Sequence, residues 1–183
     1  MAGEVVDGET PLKVVTFKSL HPILSIDPPR AGEAVAWYKD VFGFEEVAKI
    51  YGKRKAGQDD PLIDHAHLKL GEVEIKLADD TGHGASVEGG KRPPSALKGT
   101  TFTIQVECSD PDAIFAKAIA KGAKASLEVS DQDWGRRYGK FIDPFGFEWG
   151  LLKPLEVEEE KKVEAENGEK AAEPEAPKEA AKE

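Results

Sequence analysis

The chain repeats one order of secondary-structure elements, and this repeat constrains its fold more than any other feature. Apolar alternation predicts strands over 17–26, 44–51, 64–70 and 73–78, with an amphipathic helix over 32–42 between the first two. The order returns with strands over 100–108, 123–129, 137–142 and 147–152, and with a helix between Asp110 and Gly122. Both halves therefore read βαβββ, and their agreement indicates an internal duplication.

The duplication predicts an α+β domain over residues 13–153, with halves at about 13–80 and 99–153. We expect paired βαβββ modules whose curved, partly closed sheets surround a cleft for a small molecule. Residues 1–12 are predicted to be a flexible N-terminus. Residues 154–183 hold eleven Glu and five Lys and almost no large apolar residue, so a disordered acidic tail is predicted there.

Charge and cysteine content limit the partners of this chain. The formal charge is −10 and the pI is near 5.0, which opposes binding to nucleic acid or to anionic membrane surfaces. Cys108 is the single cysteine and cannot form an internal disulfide, as suits a reducing compartment. No apolar run approaches the ~18 residues of a membrane span, and we expect a cytoplasmic protein.

Three segments carry a resemblance to a known family. LHPILSID, AVAWYKDVFGF and WGRRYGKFIDPFGFEWGLL resemble the glyoxalase/bleomycin-resistance/dioxygenase superfamily, also called the vicinal oxygen chelate superfamily. The third segment looks most like its uncharacterised branch found beside phosphonate-utilisation genes. The resemblance implies a domain that is commonly a homodimer and holds a divalent metal through four side chains, one from each of four strands.

Only one of the four implied metal ligands is present in this sequence. His21 matches the first ligand, whereas the other three positions fall on Lys76, Thr101 and Gly150. An ammonium beside a divalent ion would cost several kcal/mol even at an effective dielectric of about 20. We therefore predict no cofactor and no family-type metal site, and we keep a divalent metal as an alternative. Lys76 is expected instead to hold an anionic group of a ligand.

Strand alternation predicts which side chains line the cleft. The predicted lining consists of polar residues on the faces opposite the helices: His21, His65, His67, Glu74, Lys76, Thr101, Thr103, Gln105 and Glu148. The loop before the seventh strand adds Trp134 and Arg136 as candidates for recognition of a planar or anionic group.

A relocated metal site is an alternative use of this lining. His65 and His67 are two residues apart on one strand, so they share a face and could bind a metal together with His21 or Glu148. Both histidines could equally be ordinary polar lining. His83 lies in a Gly-rich loop and is expected to be uninvolved.

Three functions remain open from the sequence. The first is a metal-independent protein that binds a small molecule, because a cleft is predicted and most metal ligands are missing. The second is an enzyme of the lyase, isomerase or dioxygenase type, using a metal at His21, His65 and His67 or acid–base chemistry by a histidine with Lys76. The third is a scaffold that acts through the acidic tail. Glyoxalase I activity is disfavoured because that reaction needs the metal, and no catalytic residue is assigned.

Overall fold

The structure is a computed structural model, and it describes residues 18–52, 61–81 and 90–155. The chain forms two compact units, one of Met1–Lys39 with Gly43–Lys91 and the other of Asp40–Phe42 with Arg92–Glu183. The described elements of the first half are β1 (Ile23–Ile26), α1 (Ala31–Phe42), β2 (Glu45–Tyr51), β3 (Ile63–Leu70) and β4 (Val73–Asp79). Those of the second half are α2 (Pro94–Leu97), β5 (Thr103–Glu107), α3 (Pro111–Ala120), β6 (Lys124–Gln132), β7 (Arg136–Ile142) and β8 (Glu148–Pro154).

The first unit contains a four-stranded mixed sheet in the order β1-β4-β3-β2. β1 runs parallel to β4, and the remaining pairs are antiparallel. Gly71 adopts φ 57° in the turn that joins β3 to β4, a conformation that glycine reaches without steric cost. The strands predicted over 64–70 and 73–78 are confirmed, and they form an antiparallel hairpin.

A buried aspartate ties three elements of the first unit together. Asp79 ends β4, and its Oδ1 accepts a hydrogen bond from the Ala31 backbone N–H at the start of α1, at 2.9 Å. Its Oδ2 accepts from the Ile63 backbone N–H at the start of β3, at 2.8 Å. Because α1 begins without a side-chain cap from its own flanking residue Arg30, Asp79 satisfies an N–H that would otherwise lack a partner.

The second unit repeats this plan with the order β5-β8-β7-β6, in which β5 runs parallel to β8. α3 begins as predicted: the Asp110 side chain accepts from the Ala113 N–H at 3.0 Å, and Pro111 is the first helical residue. Phe115 from α3, Phe141 from β7 and Trp149 from β8 form the aromatic part of its core.

The α+β class and the repeated βαβββ order are confirmed, with two four-stranded mixed sheets that do not close into barrels. The first strand is shorter than predicted, because β1 spans Ile23–Ile26. Leu20 lies within the predicted strand 17–26, but it precedes β1 and is 96% exposed. β5 likewise starts at Thr103 rather than at residue 100, and β8 ends at Pro154, two residues past the end of the strand predicted over 147–152.

Several predictions fall outside the described residues or stay untested there. They include the flexible segment 1–12, His83 and all but the first two residues of the tail 154–183. Within the described ranges, no helix is long and apolar enough to cross a membrane.

Asp143 is expected to contribute strongly to stability, because it is buried and accepts three hydrogen bonds. Its Oδ1 accepts from the backbone N–H groups of Phe145 and Phe147, and its Oδ2 accepts from the Trp149 indole N–H at 2.9 Å. An Asp143→Ala substitution should lower the free energy of unfolding by about 3 kcal/mol or more, since each orphaned buried donor costs about 1–3 kcal/mol. Urea unfolding measures this loss. Asp110→Ala, which removes an exposed cap worth about 1 kcal/mol, is the control, and an equal loss in both variants would contradict the prediction.

Candidate functional site

The face of the first sheet opposite its apolar core carries the histidines. Ala66, Leu68, Ile75 and Leu77 are buried, whereas the residues that alternate with them are half-buried and polar. This polar face comprises His65, His67 and Lys69 on β3 and Glu74 and Lys76 on β4. Successive strand residues point to opposite sides, so the apolar residues that fill the core also fix the direction of these polar side chains.

Three of these side chains converge around one carboxylate oxygen. The Oε2 atom of Glu74 lies 2.9 Å from Nε2 of His67 and 3.2 Å from Nε2 of His21. The two imidazole rings stack with a centroid distance of 6.0 Å and an interplanar angle of 25°. Each of the three side chains is only about one-fifth exposed. We call this group the His–Glu–His cluster.

Strand pairing places the members of the cluster. In the β3–β4 hairpin, His67 stands opposite Lys76 and Lys69 stands opposite Glu74. The Lys76 backbone N–H donates to the Pro22 carbonyl at 3.0 Å, which extends the β1–β4 pairing to the residue after His21. His21 therefore reaches Glu74 although it precedes β1.

The Glu74 carboxyl is held in its ionised form. Its pKa lies below its ordinary value, mainly because His67 donates a hydrogen bond to it; partial burial opposes this effect, and Lys69 adds to it. The Lys69 ammonium lies 3.4 Å from the second carboxylate oxygen, Oε1. One oxygen thus faces the two imidazoles while the other faces a cation.

The four-ligand metal centre that the resemblance implies does not fit the residues present. Lys76 and Thr101 offer no ordinary metal ligand at their matched positions, and Gly150 has no side chain. A Cβ added at Gly150 would meet the Tyr138 hydroxyl at 2.8 Å, so the phenol fills the space that a carboxylate side chain would need. His21 is the one ligand of that set that this chain retains.

The second sheet has a polar face of its own, centred on Glu148. Its carboxylate accepts hydrogen bonds from the Thr103 hydroxyl, from Ser126 Oγ at 3.3 Å and from Lys140 Nζ at 3.2 Å. The pKa of Glu148 is lowered, first by the Thr103 hydrogen bond and then by Lys140, against the effect of burial. Gln105 is exposed on β5, next to this face.

Among the described residues, the remaining predicted lining residues form no hydrogen bond or ion pair with Glu148. Thr101 is exposed and precedes β5. Trp134 is 54% exposed in the turn between β6 and β7. Its ring packs edge-on against the Tyr138 ring, with 5.4 Å between the ring centroids. Arg136 donates to the Gly135 carbonyl at 3.2 Å. The role of this turn in ligand recognition stays a prediction.

The suggested metal site of His65 and His67 with His21 or Glu148 stays a prediction, and the cluster contains only part of that set. His67 joins the cluster, but His65 stands opposite Ile50 of β2 and is not part of it. Glu74, predicted only as lining, is the central residue. The β1–β4 register would have revealed it, since continuing the Ile23–Lys76 pairing by two residues brings His21 beside Glu74.

The duplicated fold and the polar sheet faces define a class of paired βαβββ proteins, and comparison with known proteins names it. Residues 26–151 match the Glyoxalase/Bleomycin resistance protein/Dioxygenase superfamily. The chain belongs to this superfamily. It is similar to an uncharacterised protein of Mycobacterium tuberculosis, with 36% identity over 138 residues that cover 75% of each chain. An uncharacterised protein of Arabidopsis thaliana is 32% identical over 143 residues, covering 77% of this chain and 80% of that protein.

Solved structures show the same fold. The X-ray structure of an Arabidopsis thaliana gene product has a TM-score of 0.55 at 23% identity, covering 74% of this chain and 98% of that one. A Pseudomonas aeruginosa protein has a TM-score of 0.58 at 19% identity, covering 76% of this chain and all of that chain. A Bacillus cereus structure described as a PhnB protein has a TM-score of 0.55 at 16% identity, covering 74% of this chain and 99% of that one. That identity supports the fold alone, so the phosphonate-linked branch stays a prediction.

The lowered pKa of Glu74 predicts how the cluster responds to acid. The pKa of this carboxyl group is lower in the folded protein than its ordinary value of 4.5, so the ionised group stabilises the fold when the pH is above 4.5. This contribution is lost as the pH falls through the pKa of the folded state. Wild type should therefore exceed Glu74→Gln in unfolding free energy at about pH 5, and the difference should shrink towards about pH 3. Urea unfolding across this range measures it. Glu72→Gln, in the exposed turn before β4, is the control, and a difference independent of pH for Glu74→Gln would contradict the assignment.

Proposed function

We propose that this protein binds a small molecule with an anionic group, without the superfamily's four-ligand metal centre, and that it is not a glyoxalase I. The observation that carries this proposal is the position of Lys76. It is half-buried on β4, directly opposite His67, on the polar face that also holds Glu74. An ammonium at this position supplies the positive charge that a ligand anion requires.

Lys76 differs from its neighbours in that no ion pair to it is formed within the part of the chain that the structure describes. Among the described residues, Lys69 forms an ion pair with Glu74 and Lys49 forms one with Glu46 at 2.7 Å, whereas Lys76 forms none. A cation that is partly removed from water and lacks a counter-charge gains more from an anionic ligand than one that is already paired.

The residues at the positions that match the superfamily's metal ligands support the proposal that the protein is not a glyoxalase I. Glyoxalase I chemistry relies on a metal to stabilise an enediolate oxygen. Here Lys76, Thr101 and Gly150 stand where three of the ligands would be, and Tyr138 occupies the space beside Gly150. A homodimer, the assembly that the resemblance implies, is part of the same proposal, and sedimentation at twice the 19.8 kDa chain mass would support it.

An enzyme that uses a histidine as a general base is the second candidate, and one observation favours it. The hydrogen bond between His67 and Glu74 orients an imidazole with a carboxylate, as in enzymes that move a proton at carbon. Such an enzyme would be of the lyase or isomerase type and would need no four-ligand metal.

Removal of the Lys76 charge should weaken anion binding. In chelator-treated protein, a thermal-shift screen of phosphate, sulfate and carboxylate compounds should identify a stabilising anion, and Lys76→Met should bind it about tenfold more weakly, or ~1.4 kcal/mol. Lys39→Met, on the exposed side of α1, removes the same charge and should bind as wild type does. Stabilisation that appears only after divalent metal is added, or an equal loss in both variants, would refute the proposal.

The base-catalysis candidate makes a separate prediction. Small 2-oxo acids and hydroxy ketones incubated with the protein in D₂O should exchange a carbon-bound proton faster than in buffer, because abstraction of that proton is the shared first step. Proton NMR follows the exchange. His67→Gln should abolish the acceleration and His65→Gln should retain it, whereas no acceleration by wild type would remove this candidate.

A further inference from the structure

We infer that His21, His67 and Glu74 form a three-ligand site for a borderline divalent cation such as zinc, held entirely within the first unit. This site goes beyond the proposed anion binding and does not depend on it. It shares only His21 with the ligand set that the resemblance implies. Glu74 lies two residues before Lys76 on β4, and His67 comes from β3, which contributes no ligand to that set.

The distances within the cluster fit a metal site. The two histidine Nε2 atoms and the Glu74 Oε2 atom lie within 4.8 Å of one another, with 2.9 and 3.2 Å between the oxygen and the two nitrogens. Tetrahedral coordination with bonds of about 2.0–2.1 Å separates ligand atoms by roughly 3.3 Å. Small side-chain rotations therefore suffice to bring all three atoms to a common ion.

The chemistry of the ligands selects the ion. Two imidazoles and one carboxylate favour zinc, cobalt, nickel or iron(II), whereas calcium and magnesium prefer a shell of oxygens. Three protein ligands also leave at least one coordination position open to water or to a small molecule. The site thus has the composition of a reactive or ligand-binding metal centre.

The surrounding structure holds the ligands in place. Glu74 and His67 stand on adjacent, hydrogen-bonded strands, and Lys69 lies 3.4 Å from the Glu74 oxygen that the cluster does not use. Partners of this kind orient metal ligands in many proteins, and their loss typically costs about 10- to 100-fold in affinity.

The positive charge of Lys76 lowers the affinity of the cluster for a cation, and this effect can be measured. Its Cα stands opposite that of His67 on the same face, so its ammonium repels a divalent ion nearby. The four-carbon side chain lets the charge turn away from the ion. Removing this charge should consequently strengthen metal binding, although it weakens anion binding.

A hydrogen-bonded cluster without metal would show the same distances, because one carboxylate oxygen can accept from both imidazole N–H groups. Metal titration of the full chain separates the two cases. Chelator-treated protein is titrated with Co²⁺, whose visible absorption reports coordination by protein ligands, and Zn²⁺ is then added to displace it. The four histidines of the chain permit a complete set of controls.

Wild type should bind one equivalent of Co²⁺ with a visible band, and Zn²⁺ should abolish the band. His21→Ala, His67→Ala and Glu74→Ala should each weaken binding by about 10-fold or more, since they remove a direct ligand. His65→Ala and His83→Ala should bind as wild type does, and Lys76→Met should bind more tightly.

Three results would overturn the inference. They are the absence of a visible band in wild type, a loss in His65→Ala or His83→Ala equal to that in His67→Ala, and weaker binding by Lys76→Met. Circular dichroism of each variant confirms folding before titration. Anion binding is measured after chelation, so the absence of metal binding would not contradict the proposed anion binding. Likewise, the absence of anion binding would not contradict the metal site.

Discussion

The parallel pairing of β1 with β4 is the interaction on which the candidate site depends. It joins segments far apart in the chain, with Ile23 opposite Lys76 and the Lys76 N–H bonded to the Pro22 carbonyl. The β3–β4 hairpin then adds His67 through a purely local connection. A slip of one residue in either pairing would turn the polar side chains towards the core, so burial of Ile75 and Leu77 also fixes the position of Glu74.

The order of elements could be predicted from the sequence because it rests on local signals. The apolar periodicity of strands and helices and the helix start at Asp110 each depend on a few neighbouring residues, and the elements that they predict are confirmed. The start of β1 could not be predicted in this way. Alternation continues before Ile23, but a strand exists only where a neighbour completes its hydrogen bonds, and that depends on β4. The short helix α2 was missed because its four residues are too few to show a period.

The candidate site was predicted only in part, for a related reason. Alternation correctly assigned His67, Glu74 and Lys76 to one polar face, because face is a property of each strand alone. It could not separate His65 from His67, since both share that face and only the register decides which one meets Glu74. The superfamily's ligand positions correspond to Lys76 rather than to Glu74, the carboxylate two residues earlier. Neither strand alternation nor the superfamily's ligand positions specify which residues of neighbouring strands are in contact.

The charges on the polar face connect the two proposals. On this face, Lys69 is paired with Glu74 and also stands opposite Glu45 of β2. Lys76 is therefore the ammonium group of the face that an anionic ligand can pair with. A cation at the His–Glu–His cluster would add positive charge and an open coordination position beside Lys76. An anionic ligand could then contact both charges, and each would raise the affinity for the other partner by the same factor. Metal and anion would therefore bind cooperatively, with the ligand anion relieving the repulsion between Lys76 and the metal.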